Sequence, residues 1–390
     1  MSAHDIVVVA DLRFTGGTSA ALAADVRAFA ALGMTVGILP VRSAFLDAED
    51  AVESPAISAL FDLPAVEMAH GPVRCDLAFL HNPLIFAEPF EGATPITARR
   101  TVVVAHHPPF RGDGSLEYNP VLVSARVRMA FGAGPLGTGA VWAPVSGVIR
   151  RQLRAFTPLI SMTRGDWANA FDPGDWIATR PAFAPAATGR PVATIGRHGR
   201  ADVLKWPDAA ADMVAPLSPG PGWRASVMGC PPEVLRMAGA AAAGWEVLAF
   251  GARPVADFLD RLDVFVFHFH PRWVEAFGRT VAEAILMERP CILDPRLAPT
   301  FADLADYASP AEAPDLARRL RAAPEAARAT AAARRPRAIS AFGNAAIGRR
   351  VAELMRDGGT RSRAGPKAAP VAVTLRKAIG LSRRRLAGGR

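Results

Sequence analysis

Two glutamates eight residues apart, Glu275 and Glu283, form the pattern in this sequence that is best suited to chemistry. Glu275 stands in a polar loop after the apolar run Val264–Phe267, and Glu283 stands where apolar residues recur with helical spacing. Thr280 with Glu283 matches a capping box, which predicts that the helix begins at Thr280. The N–H groups of a helix start attract phosphate, and carboxylates accept hydrogen bonds from hydroxyls. The segment therefore predicts a site for a ligand that carries both phosphates and hydroxyls.

Three basic residues, Arg197, Arg200 and Lys205, come directly after another apolar run at residues 191–196. Ligands of open α/β sheets bind at the carboxyl ends of the strands, so a basic loop in that position is placed to meet a phosphate. A solvated basic loop without a ligand is the alternative interpretation.

Glycines and histidines follow the apolar runs of the first half of the chain. Gly16 and Gly17 stand where the backbone must either turn sharply or approach a ligand. Their loop lacks both the G-x-G-x-x-G fingerprint of dinucleotide binding and the G-x-x-x-x-G-K-[ST] phosphate loop. His81 and His106 each follow a short apolar run, which places them where the sites of Rossmann-type sheets form.

Cysteine usage and the N-terminus indicate the compartment. Cys75, Cys230 and Cys291 show no C-x-x-C spacing, so neither a disulfide framework nor a cysteine zinc site is predicted. The N-terminus lacks a basic segment followed by a long apolar one, and no stretch reaches eighteen apolar residues. We therefore expect a soluble, cytoplasmic protein.

The net charge of +9 is concentrated at one end of the chain. Residues 357–390 hold nine Lys or Arg and one Asp, so the rest of the chain is close to neutral and offers no dedicated face for nucleic acid. The scarcity of bulky residues in this tail favours disorder. Val371, Leu375, Ile379 and Leu386 fall near one helical face, which supports a second interpretation: peripheral contact with the anionic inner face of a membrane.

Short apolar runs that alternate with helical patterns predict an α/β protein with parallel sheets. At 390 residues the chain is long enough for two domains with separate cores. A stretch rich in Pro, Gly and Ala predicts the connection between them. We place a Rossmann-like domain at 1–185, a second one at 186–356 and the basic tail at 357–390.

The segment E-A-F-G-R-T-V-A-E-A, which holds both glutamates, resembles the E-x7-E signature of retaining glycosyltransferases of the family-four type. This group includes glycogen synthases and bacterial mannosyltransferases, and it has the GT-B fold. The resemblance implies two Rossmann-like domains whose parallel sheets face a central cleft, with an acceptor-side domain first and a nucleotide-sugar-binding domain second. It also implies a last helix that returns to the first domain.

The resemblance implies roles for individual residues. In this family the first glutamate lies near the donor sugar, the second holds the ribose, and the Phe-Gly backbone with the helix start meets the diphosphate. An Arg with a Lys five or six residues later also contacts the diphosphate; we favour Arg200 with Lys205 and keep Arg197 as a third ligand. A Gly-Gly pair and a histidine of the first domain contact the donor or the acceptor. The implied catalytic set is Glu275, His106, Arg200 and Lys205, and the donor-binding set is Gly16, Gly17, Arg197, Phe277, Gly278, Arg279, Thr280 and Glu283.

These roles imply transfer of a sugar from a nucleoside-diphosphate sugar to a hydroxyl of a glycan or a lipid-linked acceptor, with retention of configuration. The basic residues and the helix start are expected to stabilise the departing diphosphate without a metal or a further cofactor. The chain departs from the family pattern at Glu288 and in the turn at 295–299, where the family has glycines. Sugar contacts through that turn are therefore not implied. His81 is either an acceptor contact or a strand-end residue without a role.

Two other functions are compatible with the sequence. The departures from the family pattern also fit a non-catalytic glycosyltransferase-like subunit that supports a partner. A metal-dependent hydrolase would use His106, His107, His268 and His270, although no pattern such as H-E-x-x-H accompanies them.

Overall fold

The structure, a computed structural model, describes residues 2–14, 16–47, 52–132, 139–157, 159–184, 192–357 and 379. The chain forms two compact units: the first is Met1–Ala170 together with the residues from Asn344 onwards, and the second is Phe171–Gly343. The connection predicted near residue 185 lies outside the described residues, as does the predicted basic tail after residue 357 apart from Ile379.

The described part of the first unit contains a seven-stranded sheet and a small two-stranded one. Its strands are β1 (Ser2–Ala10), β2 (Val36–Pro40), β3 (Arg42–Ser43), β4 (Val66–Met68), β5 (Val73–His81), β6 (Phe90–Glu91), β7 (Ile96–Ala105), β8 (Val141–Pro144) and β9 (Ser161–Met162). Its helices are α1 (Gly17–Ala31), α2 (Pro55–Ser58), α3 (Pro83–Ala87), α4 (Pro120–Phe131), α5 (Gly147–Leu153) and, from the end of the described chain, α13 (Ala345–Asp357). The large sheet is parallel throughout, in the order β4–β2–β1–β5–β7–β8–β9, and β3 pairs with β6 antiparallel.

The central strands of this sheet are apolar along most of their length because a parallel sheet is normally covered on both faces. Val7, Val8 and Val9 of β1 are fully buried, and Val8 pairs in register with Ile38 of β2 and Phe79 of β5. The apolar runs of the first half are thus confirmed as strands. The sequence also predicts a strand from Thr157 to Met162, and among the described residues of this run Ser161 and Met162 form β9.

The second unit contains a parallel sheet of six strands in its described residues. The strands are β10 (Ala193–His198), β11 (Trp223–Met228), β12 (Trp245–Leu248), β13 (Val264–Phe267), β14 (Cys291–Leu293) and β15 (Asp306–Tyr307), in the order β12–β11–β10–β13–β14–β15. The helices are α6 (Ala210–Val214), α7 (Pro232–Ala238), α8 (Val255–Asp260), α9 (Arg279–Leu286), α10 (Ala298–Phe301), α11 (Ala313–Ala322) and α12 (Pro324–Phe342). The strand predicted at Val264–Phe267 lies inside this sheet, between β10 and β14.

The spacing of apolar residues predicts two helices at 311–334 and 339–354, and the structure differs from this prediction. The structure has three helices there, α11, α12 and α13, and α12 continues through Pro336 to Phe342. Gly343 ends α12 in an extended conformation, and its N–H donates to the carbonyl of Ile339 at 2.8 Å. The helix boundary therefore lies at this glycine and not near the proline.

None of the helices in the described ranges has both the length and the apolar character that crossing a bilayer requires.

Gly196 of β10 is expected to tolerate no side chain. A Cβ atom there would lie 2.1 Å from the carbonyl oxygen of Ser226 on the neighbouring strand and 2.8 Å from a methyl group of Leu262. Gly196→Ala should therefore lower the free energy of unfolding, near the upper end of the range of about 1–3 kcal/mol for overpacked sites. Urea unfolding followed by circular dichroism measures this loss.

Gly199→Ala is the matched control, because Gly199 has no atom within 4 Å of a built Cβ and no positive φ. It should unfold close to the wild-type urea concentration. Equal losses from the two variants would contradict close packing as the cause.

Candidate functional site

The candidate site of the second unit lies where β13 ends and α9 begins. A loop of residues 268–278 connects these elements at the carboxyl edge of the sheet. Gly278 caps α9 with φ of 86° and ψ of 60°, a left-handed conformation that favours glycine. The prediction that a capping box starts the helix at Thr280 is therefore wrong, because the helix starts at Arg279 and its cap residue has no side chain. No capping side chain competes with an anion for the first N–H groups of α9.

The predicted residues Lys205 and Glu275 lie in direct contact at this edge. Lys205 stands in the short turn after β10, and its amine forms an ion pair with Oε2 of Glu275. The indole N–H of Trp273 donates to the same oxygen at 3.2 Å, and the Lys205 amine lies 4.8 Å from the centre of the indole ring. Glu275 is buried, while the Lys205 side chain is 19% exposed. The pair thus places one carboxylate and one partly accessible cation beside the start of α9.

Arg197, predicted as a third phosphate ligand, lies inside β10 because this strand extends beyond it. Its guanidinium packs on the rings of Trp206 and Phe267, at 4.1 and 4.8 Å from their centres. It donates to the carbonyl of His268 at 2.7 Å and to the carbonyl of Lys205 at 2.5 Å. Burial lowers the pKa of Arg197 to about 9, which leaves the group charged at neutral pH. Arg197 therefore joins the two segments that carry the ion pair.

Arg200, predicted as the phosphate partner of Lys205, lies at the surface. Its side chain is 63% exposed and pairs with Asp202 at 3.1 Å. Asp202 also accepts a hydrogen bond from the N–H of Leu204 at 3.0 Å, which fixes the turn that carries Lys205. Arg200 thus pairs with a residue of its own loop, whereas Lys205 pairs with Glu275.

Glu283 is buried on α9 beside two cationic or titratable neighbours. Its Oε2 lies 3.4 Å from Nε2 of His198, and its Oε1 lies 4.0 Å from Nε of Arg279. Burial raises the pKa of Glu283, and the charge of Arg279 offsets only part of this rise. Burial together with the charge of Arg197 lowers the pKa of His198 to about 3, so this imidazole is neutral at physiological pH. Arg279 also packs on the ring of Phe171, 4.3 Å from its centre.

Phe277 fixes the last part of the loop by burying its side chain. Its ring contacts those of Phe171, Phe301 and Phe342, with centroid distances of 6.3, 5.8 and 5.4 Å. Aromatic pairs at such distances add to the stability gained from burial. The side chain of Phe277 is thus an anchor, and Gly278 follows it directly at the helix start.

Arg296 braces the same loop from the turn at 295–299, where the resembled family has glycines. Its guanidinium forms a two-point contact with the Asp294 carboxylate, at 2.9 and 2.6 Å, and packs on the Phe269 ring at 4.0 Å. It also donates to the carbonyls of Phe269, His270 and Trp273, at 2.7, 3.2 and 3.4 Å. A planar fork of five N–H donors suits such a set of acceptors. This departure from the family pattern therefore stabilises the loop that leads to Glu275.

In the first unit, Gly16 and Gly17 lie at the start of α1. Gly16 is the cap residue, with φ of 76° and ψ of −143°, and Gly17 is the first residue of the helix. The hydroxyl of Ser19 donates to the carbonyl of Gly16 at 2.9 Å. The glycine pair therefore makes the strand-to-helix turn.

His81 ends β5 and His106 follows β7, the adjacent strand of the sheet. The two imidazoles are stacked with centroids 5.2 Å apart, and Nδ1 of His81 lies 3.0 Å from Nε2 of His106. His81 is fully buried and His106 nearly so. The structure thus brings together two histidines that the sequence treated separately.

The histidines of the metal-hydrolase alternative gain no support from the geometry. Nε2 of His268 lies 3.0 Å from the carbonyl oxygen of Ala308, so this nitrogen must carry the proton and donate. The Nδ1 atom of His270 accepts a hydrogen bond from the backbone N–H of Arg272 at 3.0 Å. Across the ranges that the structure describes, no group of three or more His, Cys, Asp or Glu side chains is arranged to hold a metal ion.

Several residues near the predicted sites escaped the sequence reasoning: Trp206, Trp273, His198 and Arg296. The loop position of Trp273, two residues before Glu275, was a usable signal, because its indole donates to that carboxylate. Trp206, His198 and Arg296 contact site residues that lie further away in the chain. No local spacing in the sequence predicts these contacts.

No protein-family model matches this chain, and no curated protein matches it. Solved structures do match. HepE from Anabaena, in complex with UDP and glucose, is 13% identical with a TM-score of 0.59, and the match covers 91% of this chain and 100% of HepE. A glycosyltransferase from Rickettsia africae is 11% identical with a TM-score of 0.57, covering 91% of this chain and 98% of its own. AviGT4, a glycosyltransferase involved in avilamycin A biosynthesis, is 15% identical with a TM-score of 0.55, and the match covers 91% of this chain and 97% of AviGT4.

At these identities the likeness shows the fold. The chain has the α/β GT-B fold, with two Rossmann-like units built on parallel sheets, as the sequence predicted.

Arg197→Met and Arg200→Ala are expected to have very different effects on stability. The first variant removes a buried charged donor from the carbonyls of Lys205 and His268, which should lower the free energy of unfolding by about 2–4 kcal/mol. The second removes an exposed pair and should change it by less than about 0.5 kcal/mol. Urea unfolding distinguishes the two, and a comparable loss in both variants would refute the structural role of Arg197.

Glu283→Gln should stabilise the protein at neutral and alkaline pH. Because folding raises the pKa of Glu283, the folded state binds this proton more tightly than the unfolded one, so its contribution to stability falls as pH rises through the raised pKa. The variant has no such charge, and its gain in unfolding temperature over wild type should shrink as pH falls towards about 4.

Glu233→Gln is the control for this measurement, since the Glu233 side chain is 51% exposed and pairs only at the surface. A gain at Glu283 that does not depend on pH would argue against a buried charge as its source.

Proposed function

We propose that this protein is a retaining glycosyltransferase that moves a sugar from a nucleoside-diphosphate sugar to a hydroxyl of a glycan or a lipid-linked acceptor. The observation that carries this proposal is the contact between Lys205 and Glu275 beside the start of α9. A cation, a carboxylate and a helix start within one loop suit a ligand with a diphosphate and hydroxyls.

The difficult step of such a transfer is the build-up of negative charge on the departing diphosphate. In this proposal the Lys205 amine and the first N–H groups of α9, after Gly278, stabilise that charge. Both are held in place before a ligand arrives. Arg197 donates to the Lys205 carbonyl, and the buried ring of Phe277 anchors the backbone directly before Gly278. Preorganised donors of this kind avoid the cost of reorganising during the reaction.

The two carboxylates take different parts in this proposal. Glu275 is assigned to the donor sugar and Glu283 to the ribose, as the resemblance implies. The raised pKa of Glu283 has a physical cause in burial, and a buried carboxylate gains from two hydroxyl donors that replace lost water. The neutral His198 beside it adds no cation that would compete with these donors.

The ion pair between Lys205 and Glu275 has a consequence for donor binding. In the absence of a nucleotide, the carboxylate neutralises the amine, so a diphosphate must compete with Glu275 for Lys205. Glu275 is more buried than Lys205, which leaves the amine as the accessible member of the pair. Removal of Glu275 should therefore strengthen nucleotide binding while it removes a group that the transfer needs.

The structural neighbours support a uridine nucleotide as the first donor to test. HepE was solved in complex with UDP, with UDP and glucose, and with UDP-glucose. Retention of configuration belongs to the proposal through the resemblance. Independence of a metal rests on the basic residues and the helix start that would stabilise the diphosphate. Contact with an anionic membrane rests on the basic composition of the tail.

A thermal-shift panel tests the proposal. UDP at about one hundred times its dissociation constant should stabilise the wild type by about 2.7 kcal/mol, with smaller shifts from GDP and ADP. Lys205→Ala should lose most of this shift and should lower turnover by about 10²–10³-fold, which corresponds to about 2.7–4 kcal/mol of lost transition-state stabilisation. Arg200→Ala should keep most of the wild-type shift, because the Arg200 side chain is 63% exposed and water and salt screen its charge.

Glu275→Ala separates the enzyme from a non-catalytic subunit. It should keep or enlarge the UDP shift while sugar transfer is lost. If no nucleotide stabilises the wild type, the proposed function is wrong, and if UDP binds but neither UDP-sugar hydrolysis nor transfer occurs, the non-catalytic subunit replaces it.

A further inference from the structure

The first unit holds a chain of buried polar groups behind His106. The imidazole of His81 lies between His106 and the carboxylate of Asp25: its Nδ1 is 3.0 Å from Nε2 of His106, and its Nε2 is 3.9 Å from Oδ2 of Asp25. Asp25 comes from the middle of α1 and is 1% exposed, as is His81. The two imidazoles lie at the carboxyl ends of β5 and β7, the edge where open α/β sheets bind ligands.

The carboxylate of Asp25 has partners that stabilise its negative charge. The indole N–H of Trp167 donates to Oδ2 of Asp25 at 2.8 Å. The guanidinium of Arg350, from α13, lies 5.8 Å from the centre of the Trp167 ring and interacts favourably with Asp25. The oxygen that faces His81 is therefore the one that Trp167 holds in place.

The position of this charge determines where His81 carries its proton. Burial lowers the pKa of His81 to about 3, so the imidazole is neutral and has one N–H group. A nearby carboxylate favours that proton on Nε2, the nitrogen that faces it, and repels a lone pair there. Nδ1 of His81 is then an acceptor. The hydrogen bond at 3.0 Å consequently requires His106 to donate from Nε2.

We propose that His81, whose Nε2 faces the Asp25 carboxylate, is a positioning residue that fixes His106 as the Nε2–H tautomer and sets the orientation of its ring. In this tautomer Nδ1 of His106 carries no proton and acts as an acceptor. An effect of this tautomer on sugar transfer rests on the proposed function, whereas the tautomer itself does not.

This arrangement also gives His81 a role. The sequence alone was compatible with an acceptor contact or with a strand-end residue without a role. With 1% of its surface exposed, His81 is placed to act through His106 and not on a ligand. Outer partners that orient a functional histidine typically matter by about 10–100-fold in activity.

The test is nitrogen-15 NMR of the full-length protein labelled at histidine side chains, in which long-range proton–nitrogen correlations identify the protonated ring nitrogen. His106→Gln assigns the His106 signals by their loss. The wild type should show the Nε2–H tautomer of His106 at about pH 7.5, one unit above the ordinary pKa of a free imidazole of about 6.5. His268, which donates from Nε2 to Ala308, is an internal reference in the same spectrum.

Three variants then probe the chain of contacts. Asp25→Asn and His81→Phe should each shift His106 away from a single Nε2–H tautomer and leave His268 unchanged. His81→Asn places a carboxamide oxygen near the position of Nδ1 and should restore the tautomer. In transfer assays His81→Phe should lower kcat/KM by about 10–100-fold, and His81→Asn should recover most of this loss.

An Nδ1–H tautomer of His106 in the wild type overturns the inference, and so does an Nε2–H tautomer that persists in both Asp25→Asn and His81→Phe. The wild-type spectrum needs no destabilised variant, so this result is decisive even if His81→Phe does not fold. An Nε2–H tautomer that responds as expected, in a protein without sugar transfer, supports the positioning contact and counts against the proposed function alone.

Discussion

The buried guanidinium of Arg197 is the contact on which the geometry of the second unit's site depends most. A charge inside an apolar enclosure is costly unless its hydrogen bonds are satisfied, and here the acceptors are the carbonyls of Lys205 and His268. These carbonyls belong to two different loops at one edge of the sheet. Because the guanidinium needs both, it fixes the loop that carries the cation relative to the loop that leads to Glu275. The flanking rings of Trp206 and Phe267 keep water from substituting for either acceptor.

The charges of the site differ in how fully they are compensated. Lys205 and Glu275 neutralise each other, and a ligand that enters must redistribute this pair. Glu283 is buried with only distant compensation from Arg279, so its ionised form costs stability that hydroxyl donors would return. Local costs of this kind are commonly found at binding sites, where an arrangement that favours the ligand need not favour folding. The surrounding aromatic cluster, centred on Phe277, supplies stability of its own.

In both units, a buried polar group contacts a candidate site residue that follows a strand of the parallel sheet. In the second unit Lys205 is backed by Arg197, and in the first His106 is backed by His81 and Asp25. Parallel sheets favour this arrangement because adjacent strands end at the same edge. The residues that follow those strands therefore lie close enough for hydrogen bonds. The GT-B fold provides this edge twice, once in each unit.

The sequence by itself determined the long central strands, the α/β class and the segment that joins the two glutamates. Val264–Phe267 is a strand because its apolar run is short and bounded, and the spacing of Glu275 and Glu283 spans only one loop and one helix turn. Only the tertiary structure decided which arginine is buried. Arg197 and Arg200 are three residues apart in one basic stretch, but pairing of β10 with β11 sets Arg197 opposite Val227 and so takes it into the sheet. Some pairs of side chains that lie close in space, such as His198 with Glu283 and Asp25 with His81, are far apart in the chain. Packing brings them together. Local propensities act over a few residues, whereas burial depends on the whole sheet.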